Sequence, residues 1–458
     1  MPMTKRPNIV IINPDQMRRD YASCYGHPFI ETANLDRLAA MGTRFDRAFT
    51  ASPMCGPSRT SFLTGKYAIE HGVRNYGGTF DPEEPNALAV LGEAGYVRGL
   101  WGKDHCFNGK VIGKHYDEGE DICIGIMGGH PEYVNAWDST TLDVDSPWNL
   151  TKRLTDAGLD FINRHADGEQ PFFLTLNYQD PHPFFACPEP WSKLFRPEQF
   201  DLPPNFRRGP IDGEIRRLTH WRIHAGEVDM PEHDLKRAMA IYCGQIRYVD
   251  DQIGRILQSL ETQGILDDTI VLFWSDHGEF LGDFGVTHKM PAFFECLVRV
   301  PMVLWDPTGK VDRGVNTNIV ELMDGMATVL DLCGLPQPEG SHARPILPGK
   351  SPRTEAFADA GLLVQQPQHP IEGLRMKGAQ EPTAFGPGAM LRTDDWKLCL
   401  YADDLGELYD IANDPYEMSN CFGKPEYAEI QGKMQQRLAK RMLCRGQMPE
   451  DLPYQPVR

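Results

Sequence analysis

Two uninterrupted apolar runs constrain the fold of this 458-residue chain more than any other feature: Asn8-Ile9-Val10-Ile11-Ile12 and Thr269-Ile270-Val271-Leu272-Phe273-Trp274. Neither alternates with polar residues, so neither suits a sheet with one wet face. Such runs belong to strands covered on both sides, as in a largely parallel sheet flanked by helices. Phe45 to Phe49, Val97 to Trp101, Phe172 to Asn177 and Arg299 to Trp305 read as further strands of this kind. Between them lie helical patterns over Asn34 to Met41 (stopped by Gly42), Ala87 to Ala94 (closed by Gly95), Trp148 to Arg164 and Leu322 to Cys333 (stopped by Gly334). Asp234 to Thr262 is the longest, with Leu235, Met239, Ile246, Val249, Ile253 and Ile256 as its buried stripe. Strand and helix in alternation predict a doubly wound, mostly parallel α/β domain over residues 1–345. The Pro- and Gly-dense stretch from Pro336 to Pro352 marks a linker. Beyond it, antiparallel strands at Met390 to Tyr401 and Gly406 to Asp410, with a closing helix at Glu426 to Leu443, predict a smaller α+β subdomain over 346–458.

Charge narrows the partners. A formal net charge of −18 repels nucleic acid and anionic membrane surfaces at long range, so neither is expected as a general partner. An anionic substrate would need a local cationic pocket, which makes basic residues inside motifs more informative than the total. No apolar signal segment precedes Asn8, and no window approaches the ~20 apolar residues of a membrane span. Eleven cysteines without paired spacing read as reduced thiols. The expectation is a cytoplasmic protein, or a periplasmic one if a signal peptide has been removed; a homo-oligomer is compatible with the sequence.

In an open α/β sheet, ligands bind at the carboxyl ends of the strands. Asp15 and Gln16 follow the first strand, Lys103 and His105 the run at Val97, His182 (pinned between Pro181 and Pro183) the run at Phe172, and Asp276 and His277 the run at Thr269. Lys103 and His105 are two apart, so their side chains share a side if extended geometry continues. Singly, each residue has a plain alternative, a turn aspartate or a surface histidine. Together they imply one site.

Cys55 lies at the centre of that pattern. In Ser52-Pro53-Met54-Cys55-Gly56-Pro57-Ser58-Arg59, Pro57 suits the first turn of a helix and Gly65 its end. This places Cys55 beside unpaired N–H groups at a positive helix terminus, a place for anions.

Cys55-x-Pro57-Ser58-Arg59, followed by Leu63-Thr64-Gly65, resembles the signature of type I sulfatases of the alkaline phosphatase superfamily, whose cysteine a maturation enzyme oxidises to formylglycine. Gly102-Lys103-x-His105, Ser275-Asp276-His277-Gly278-Glu279, Lys289, Arg299-Val300-Pro301, Trp396-Lys397-Leu398 and Glu407-Leu408-Tyr409-Asp410 extend the resemblance over nearly the whole chain. It implies an alkaline-phosphatase-like fold and hydrolysis of a small-molecule or saccharide sulfate monoester. Asp15, Gln16, Asp276, His277 and the oxidised Cys55 would hold one divalent metal, calcium first and manganese as the alternative. Arg59 would stabilise the hydrated aldehyde, Lys103, His182 and Lys289 would grip the sulfate, and His105 would act as a base. Many sulfatases have two consecutive aspartates where this chain has Asp15-Gln16, and asparagine where it has His277. That pattern also resembles phosphonate monoester hydrolases and choline sulfatases, so a phosphonate monoester or phosphodiester is the alternative substrate.

Overall fold

The computed structural model describes residues 6–75, 79–81, 83–107, 111–122, 138–207, 214–224, 230–361, 363–365 and 383–444. Its central feature is a nine-stranded sheet. In chain order the strands are β1 (Asn8–Asp15), β2 (Thr43–Phe49), β3 (Val97–Gly102), β4 (Glu118–Asp121), β5 (Phe172–Pro181), β6 (Thr269–Trp274), β7 (Arg299–Val300), β8 (Met302–Trp305) and β9 (Gly314–Glu321). Across the sheet the order is β9-β2-β8-β6-β1-β5-β3-β4, with β7 pairing β2. Strand β1 lies parallel between β6 and β5, with Ile11 opposite Leu272 on one side and Thr175 on the other.

Both faces of this sheet are buried, as the unbroken apolar runs require. Val10 and Ile12 enter one core with Phe273, Leu174 and the long helix Glu232–Thr262; Ile9 and Ile11 enter the other with Leu272, Phe62 and the helix Leu322–Leu332. The helices used below are α1 (Ala33–Met41), α2 (Cys55–Thr64), α3 (Leu150–His165), α4 (Arg216–His224), α5 (Glu232–Thr262), α6 (Leu322–Leu332) and α7 (Ala428–Leu443). A second sheet of four antiparallel strands, β10 (Ala356–Ala360), β11 (Gly388–Arg392), β12 (Trp396–Tyr401) and β13 (Glu407–Asp410), packs with α7 in the carboxyl-terminal part.

Four features depart from the sequence reading. Arg299 to Trp305 is not one strand: Pro301 divides it into β7 and β8, and β8 runs antiparallel to both β6 and β2. Met390 to Tyr401 is likewise two strands, β11 and β12, because Thr393 caps a turn onto Trp396. Strand β9 was not foreseen, since its first five residues are largely exposed and carry no apolar run. Helix α4 was not foreseen either, because arginines and a tryptophan hide any apolar stripe there.

Candidate active site

Strands β1 and β6 end side by side, and α2 begins where β2 delivers the chain to the same edge. The register of β1 against β5 shifts at Pro14/Asp15, and Gln16 takes a left-handed φ of 66°, so the backbone turns sharply once Asp15 is placed. Helix α2 starts at Cys55, ends at Gly65 with φ 69°, and buries all ten of its residues. It is fixed to β6 at two levels: Ser58 Oγ donates to the Asp276 carbonyl at 2.7 Å, and Phe62 stacks on Trp274 at 4.0 Å between ring centres. The helix that carries Cys55 is thereby held against the strand that delivers Asp276 and His277.

One donor atom from each of Asp15, Cys55, Asp276 and His277 lies within 4.8 Å of the others, and all four residues are buried. Cys55 Sγ is 3.1 Å from His277 Nε2 and 3.7 Å from Asp15 Oδ1. His277 Nε2 is 3.6 Å from Asp15 Oδ1 and 3.8 Å from Asp276 Oδ1. The opposite carboxylate oxygens face cations: Asp15 Oδ2 meets Lys103 Nζ at 2.5 Å and Arg59 Nη2 at 3.3 Å, while Asp276 Oδ2 meets Arg59 Nε at 2.8 Å. Arg59 and Asn177 both donate to the Lys103 carbonyl at 2.8 Å, which seats that lysine. Asn177 stands at the end of a predicted strand and Ser58 inside the cysteine motif, yet sequence reasoning assigned neither a part; their position was the only signal.

The electrostatics follow from burial and these pairs. Burial would raise the Asp15 carboxyl, but Lys103, His182, Arg59 and Lys289 together hold it well below the usual carboxylate range. Burial and Asp15 push the Cys55 thiol up; Lys103, Lys289 and His277 outweigh them and hold it well below an ordinary thiol. Burial works against charge on His277, yet Asp276 and Cys55 keep it above the usual imidazole range despite Lys289. His277 Nδ1–H donates to the Gly278 carbonyl at 2.9 Å, which turns Nε2 towards Cys55 Sγ and the two aspartate oxygens. A divalent cation fits among these donors: two carboxylates and a histidine anchored through Nδ1 are suitable ligands.

The remaining predicted residues surround this group. Lys289 Nζ donates to Gln16 Oε1, and Gln16 Nε2 donates to buried Glu279, so the Gln16 side chain spans those two partners. His182 is buried; burial and Lys289 drive its imidazole well below its usual range, and Nδ1–H donates to the Pro183 carbonyl at 2.6 Å. His105 does not continue the extended line from Lys103: its φ is 57°, which turns the chain. Its Nδ1 is buried without a hydrogen-bond partner among the described residues. Gly56 permits this approach, since a Cβ there would stand 3.1 Å from the His105 carbonyl oxygen.

A buried cysteine at a helix start, beside Asp15 paired with Lys103 and Arg59 and Asp276 paired with Arg59, sits at the carboxyl edge of a doubly wound sheet of the alkaline-phosphatase-like fold. The chain belongs to the sulfatase family, whose model matches residues 7–335, and is by that membership a sulfuric ester hydrolase. A second model, described as N-sulphoglucosamine sulphohydrolase, C-terminal, matches residues 382–443. Among curated relatives, the uncharacterized sulfatase YidJ of Escherichia coli (strain K12) is 28% identical over 95% of this chain and 86% of its own. The N-acetylglucosamine-6-O-sulfatase of Bacteroides thetaiotaomicron is 27% identical with the same coverage. Among solved structures, the phosphonate monoester hydrolase of Agrobacterium radiobacter superposes with a TM-score of 0.78 at 24% identity, covering 96% of both chains. No helix among the described residues is long and apolar enough to cross a membrane.

Proposed function

We propose that this protein hydrolyses a sulfate monoester, with a sulfated sugar as the substrate class, through a formylglycine made from Cys55. The observation that carries the reading is the convergence of Asp15, Cys55, Asp276 and His277 on one point, with Lys103 and Arg59 behind them. The N-acetylglucosamine-6-O-sulfatase relative supports a saccharide. In this reading residues 1–345 form the catalytic domain and 346–458 the carboxyl-terminal subdomain.

Asp15, Asp276, His277 and the oxidised residue 55 would hold one divalent cation, and Gln16 would join them if its amide oxygen left Lys289. Calcium is the first occupant to test and manganese the second, which the nitrogen ligand favours. When bound, the ion supplies charge that lowers the cost of ionising a hydroxyl on residue 55. The hydrated aldehyde offers two hydroxyls, one to attack sulfur and one whose deprotonation expels the sulfate, which a serine could not do.

The chain's own residues do the rest. Arg59, paired with both aspartates, keeps a positive charge beside the nucleophile. Lys103 and Lys289 grip the sulfate oxygens, where fixed cations favour the charge that develops there. Burial and Lys289 hold the His182 imidazole well below its usual range; a bound sulfate ester favours its protonation, and the leaving alcohol then takes its proton from Nε2. His105 takes a proton from the second hydroxyl, through the ring whose Nδ1 has no partner among the described residues.

The test is a hydrolysis panel of aryl sulfate, glucosamine 6-sulfate, choline sulfate and a phenyl phosphonate ester, run on protein co-produced with a maturation enzyme. Sulfate esters should show the higher kcat/KM. Gln16, a neutral side chain beside the donors, favours the phosphonate alternative, and a phosphonate ester well ahead of the matching sulfate would establish it. Trypsin should release Ala48 to Arg59 as one peptide, with residue 55 in the aldehyde form. Only thiol in an active preparation would remove Cys55 as the nucleophile.

A further inference from the structure

Lys289 lies in a loop held from one side by α4. Three side chains on one face of that helix donate to loop carbonyls: Arg222 Nη2 to Phe284 at 2.7 Å, Trp221 Nε1 to Thr287 at 3.0 Å, and Arg217 Nη1 to Pro291 at 2.5 Å. The contacts bracket Lys289. All three donors are buried, so each bond forms away from competing water. The loop needs such support, because Phe284 and His288 take left-handed φ values of 55° and 66°, conformations a side-chain-bearing residue keeps only where its surroundings impose them.

Helix α4 is in turn held by the carboxyl-terminal sheet. The Asp404 carboxylate, in the turn between β12 and β13, accepts from the backbone N–H groups of Arg216 and Arg217, both at 2.8 Å, and so caps the helix from another part of the chain. Arg217 Nη2 also meets Asp403 at 2.9 Å, and its guanidinium lies 3.8 Å from the centre of the Tyr401 ring. A continuous set of contacts therefore runs from Asp404 through α4 to the backbone on both sides of Lys289.

We infer that Trp221 and Arg217 are positioning residues for Lys289, and that Asp404 of the carboxyl-terminal subdomain holds them in place. The inference rests on the reading that Lys289 grips the sulfate, and it makes the carboxyl-terminal subdomain a contributor to anion affinity. Without the bracket the loop gains freedom, the lysine occupies its binding position for a smaller fraction of the time, and affinity for the anion falls in proportion.

The test uses the full-length, formylglycine-containing protein with inorganic sulfate by calorimetry and 4-nitrophenyl sulfate by turnover. Trp221→Phe keeps the ring and deletes the N–H. It should raise both the sulfate Kd and KM by about threefold to tenfold, the worth of one hydrogen bond, with kcat within about twofold and the melting temperature lowered by no more than about a few degrees. Asp404→Asn, which keeps the shape of the cap, should move the same two constants in the same direction. In a Lys289→Ala background, Trp221→Phe should have no further effect. An unchanged sulfate Kd in Trp221→Phe, or the same rise with Lys289 absent, overturns the inference while leaving the function intact. A silent Asp404→Asn removes the carboxyl-terminal subdomain from it. A Lys289→Ala variant that binds sulfate normally overturns the role of Lys289 itself, and the inference with it.

Discussion

Lys103 Nζ lies 2.5 Å from Asp15 Oδ2, with both side chains withdrawn from solvent. Breaking a buried pair by removing one partner leaves the other charge uncompensated, a cost of about 3 kcal/mol. Lys103→Met should lose about that much in metal-free protein, read by denaturant unfolding. The pH dependence has a definite sign. The Asp15 carboxyl is depressed in the folded state, so its stabilising contribution is present above the ordinary aspartate value of about 4 and lost as pH falls through the lowered one. In the variant, burial is opposed by fewer cations and Asp15 takes a proton earlier. The gap between the two proteins should be widest at neutral pH and narrow in acid; a gap that widens in acid would contradict the pairing.

Asp180 shows the opposite sign. Burial pushes its carboxyl up to about 6, although Thr151 and Gln245 both donate to it and pull it down. Between about pH 4 and that value the folded state binds more protons than the unfolded chain, so stability falls as pH rises through the window and the penalty persists above it. Asp180→Asn keeps the shape and removes the titration. Its stability relative to the parent should improve from pH 4 to pH 6 by on the order of 2 kcal/mol, measured by denaturant unfolding at each pH. A difference flat with pH would show that Asp180 does not change its protonation there.

Much of the site was legible because its residues stand at the ends of strands with a strong pattern. The β-branched run before Asp15 and the apolar run before Asp276 both belong to a sheet buried on both faces, whose carboxyl edge collects their ends, and the structure pairs the two directly. What stayed hidden depends on contacts between distant segments. Nothing local to Met302–Trp305 says that it runs antiparallel to its neighbours. Gln16 follows Asp15 in sequence, but its left-handed backbone turns its amide to Lys289 and Glu279, both more than 250 positions away. The spacing of Lys103 and His105 suggested a shared side, and the positive φ at His105 removes the extended geometry on which that rested. Helix α4 buries arginines against carbonyls and carboxylates, so hydrophobic periodicity could not reveal it.

Gly278 separates His277 from Glu279 and has no room for a side chain. A Cβ there would fall 1.8 Å from the carbonyl oxygen of Cys296, a backbone atom that a rotamer change cannot move. Gly278→Ala must therefore displace the segment that carries His277, at a cost of about 1 to 3 kcal/mol for the overpacking alone. Metal affinity should fall by more than the stability loss explains, because the Nδ1 bond to the Gly278 carbonyl that orients the ring is strained at the same time. Calorimetric melting and a metal titration on the same preparation separate the two effects; an intact metal titration would show that His277 is oriented by something else.

Asp276 offers a sharper test of the metal reading, because its two oxygens have different tasks. Oδ2 pairs with Arg59 at 2.8 Å, while Oδ1 accepts from the backbone N–H groups of Gln16 and His277, each at 3.0 Å, and faces the four-donor group. Asp276→Asn keeps the bulk of the side chain but removes its charge, so the Arg59 guanidinium loses one of its two carboxylate partners and the donor group loses one of its two carboxylates. Bound metal by elemental analysis and turnover of the best panel substrate should disappear together. Chelation of the parent should abolish activity, restored by calcium or manganese, and should lower its melting temperature, since a ligand held at 100 times its Kd stabilises by about 2.7 kcal/mol. The variant, having nothing to lose, should melt at the same temperature with and without chelator. A variant that kept stoichiometric metal and full turnover would exclude Asp276 as a ligand. Loss of turnover with metal retained would assign its effect to Arg59 instead.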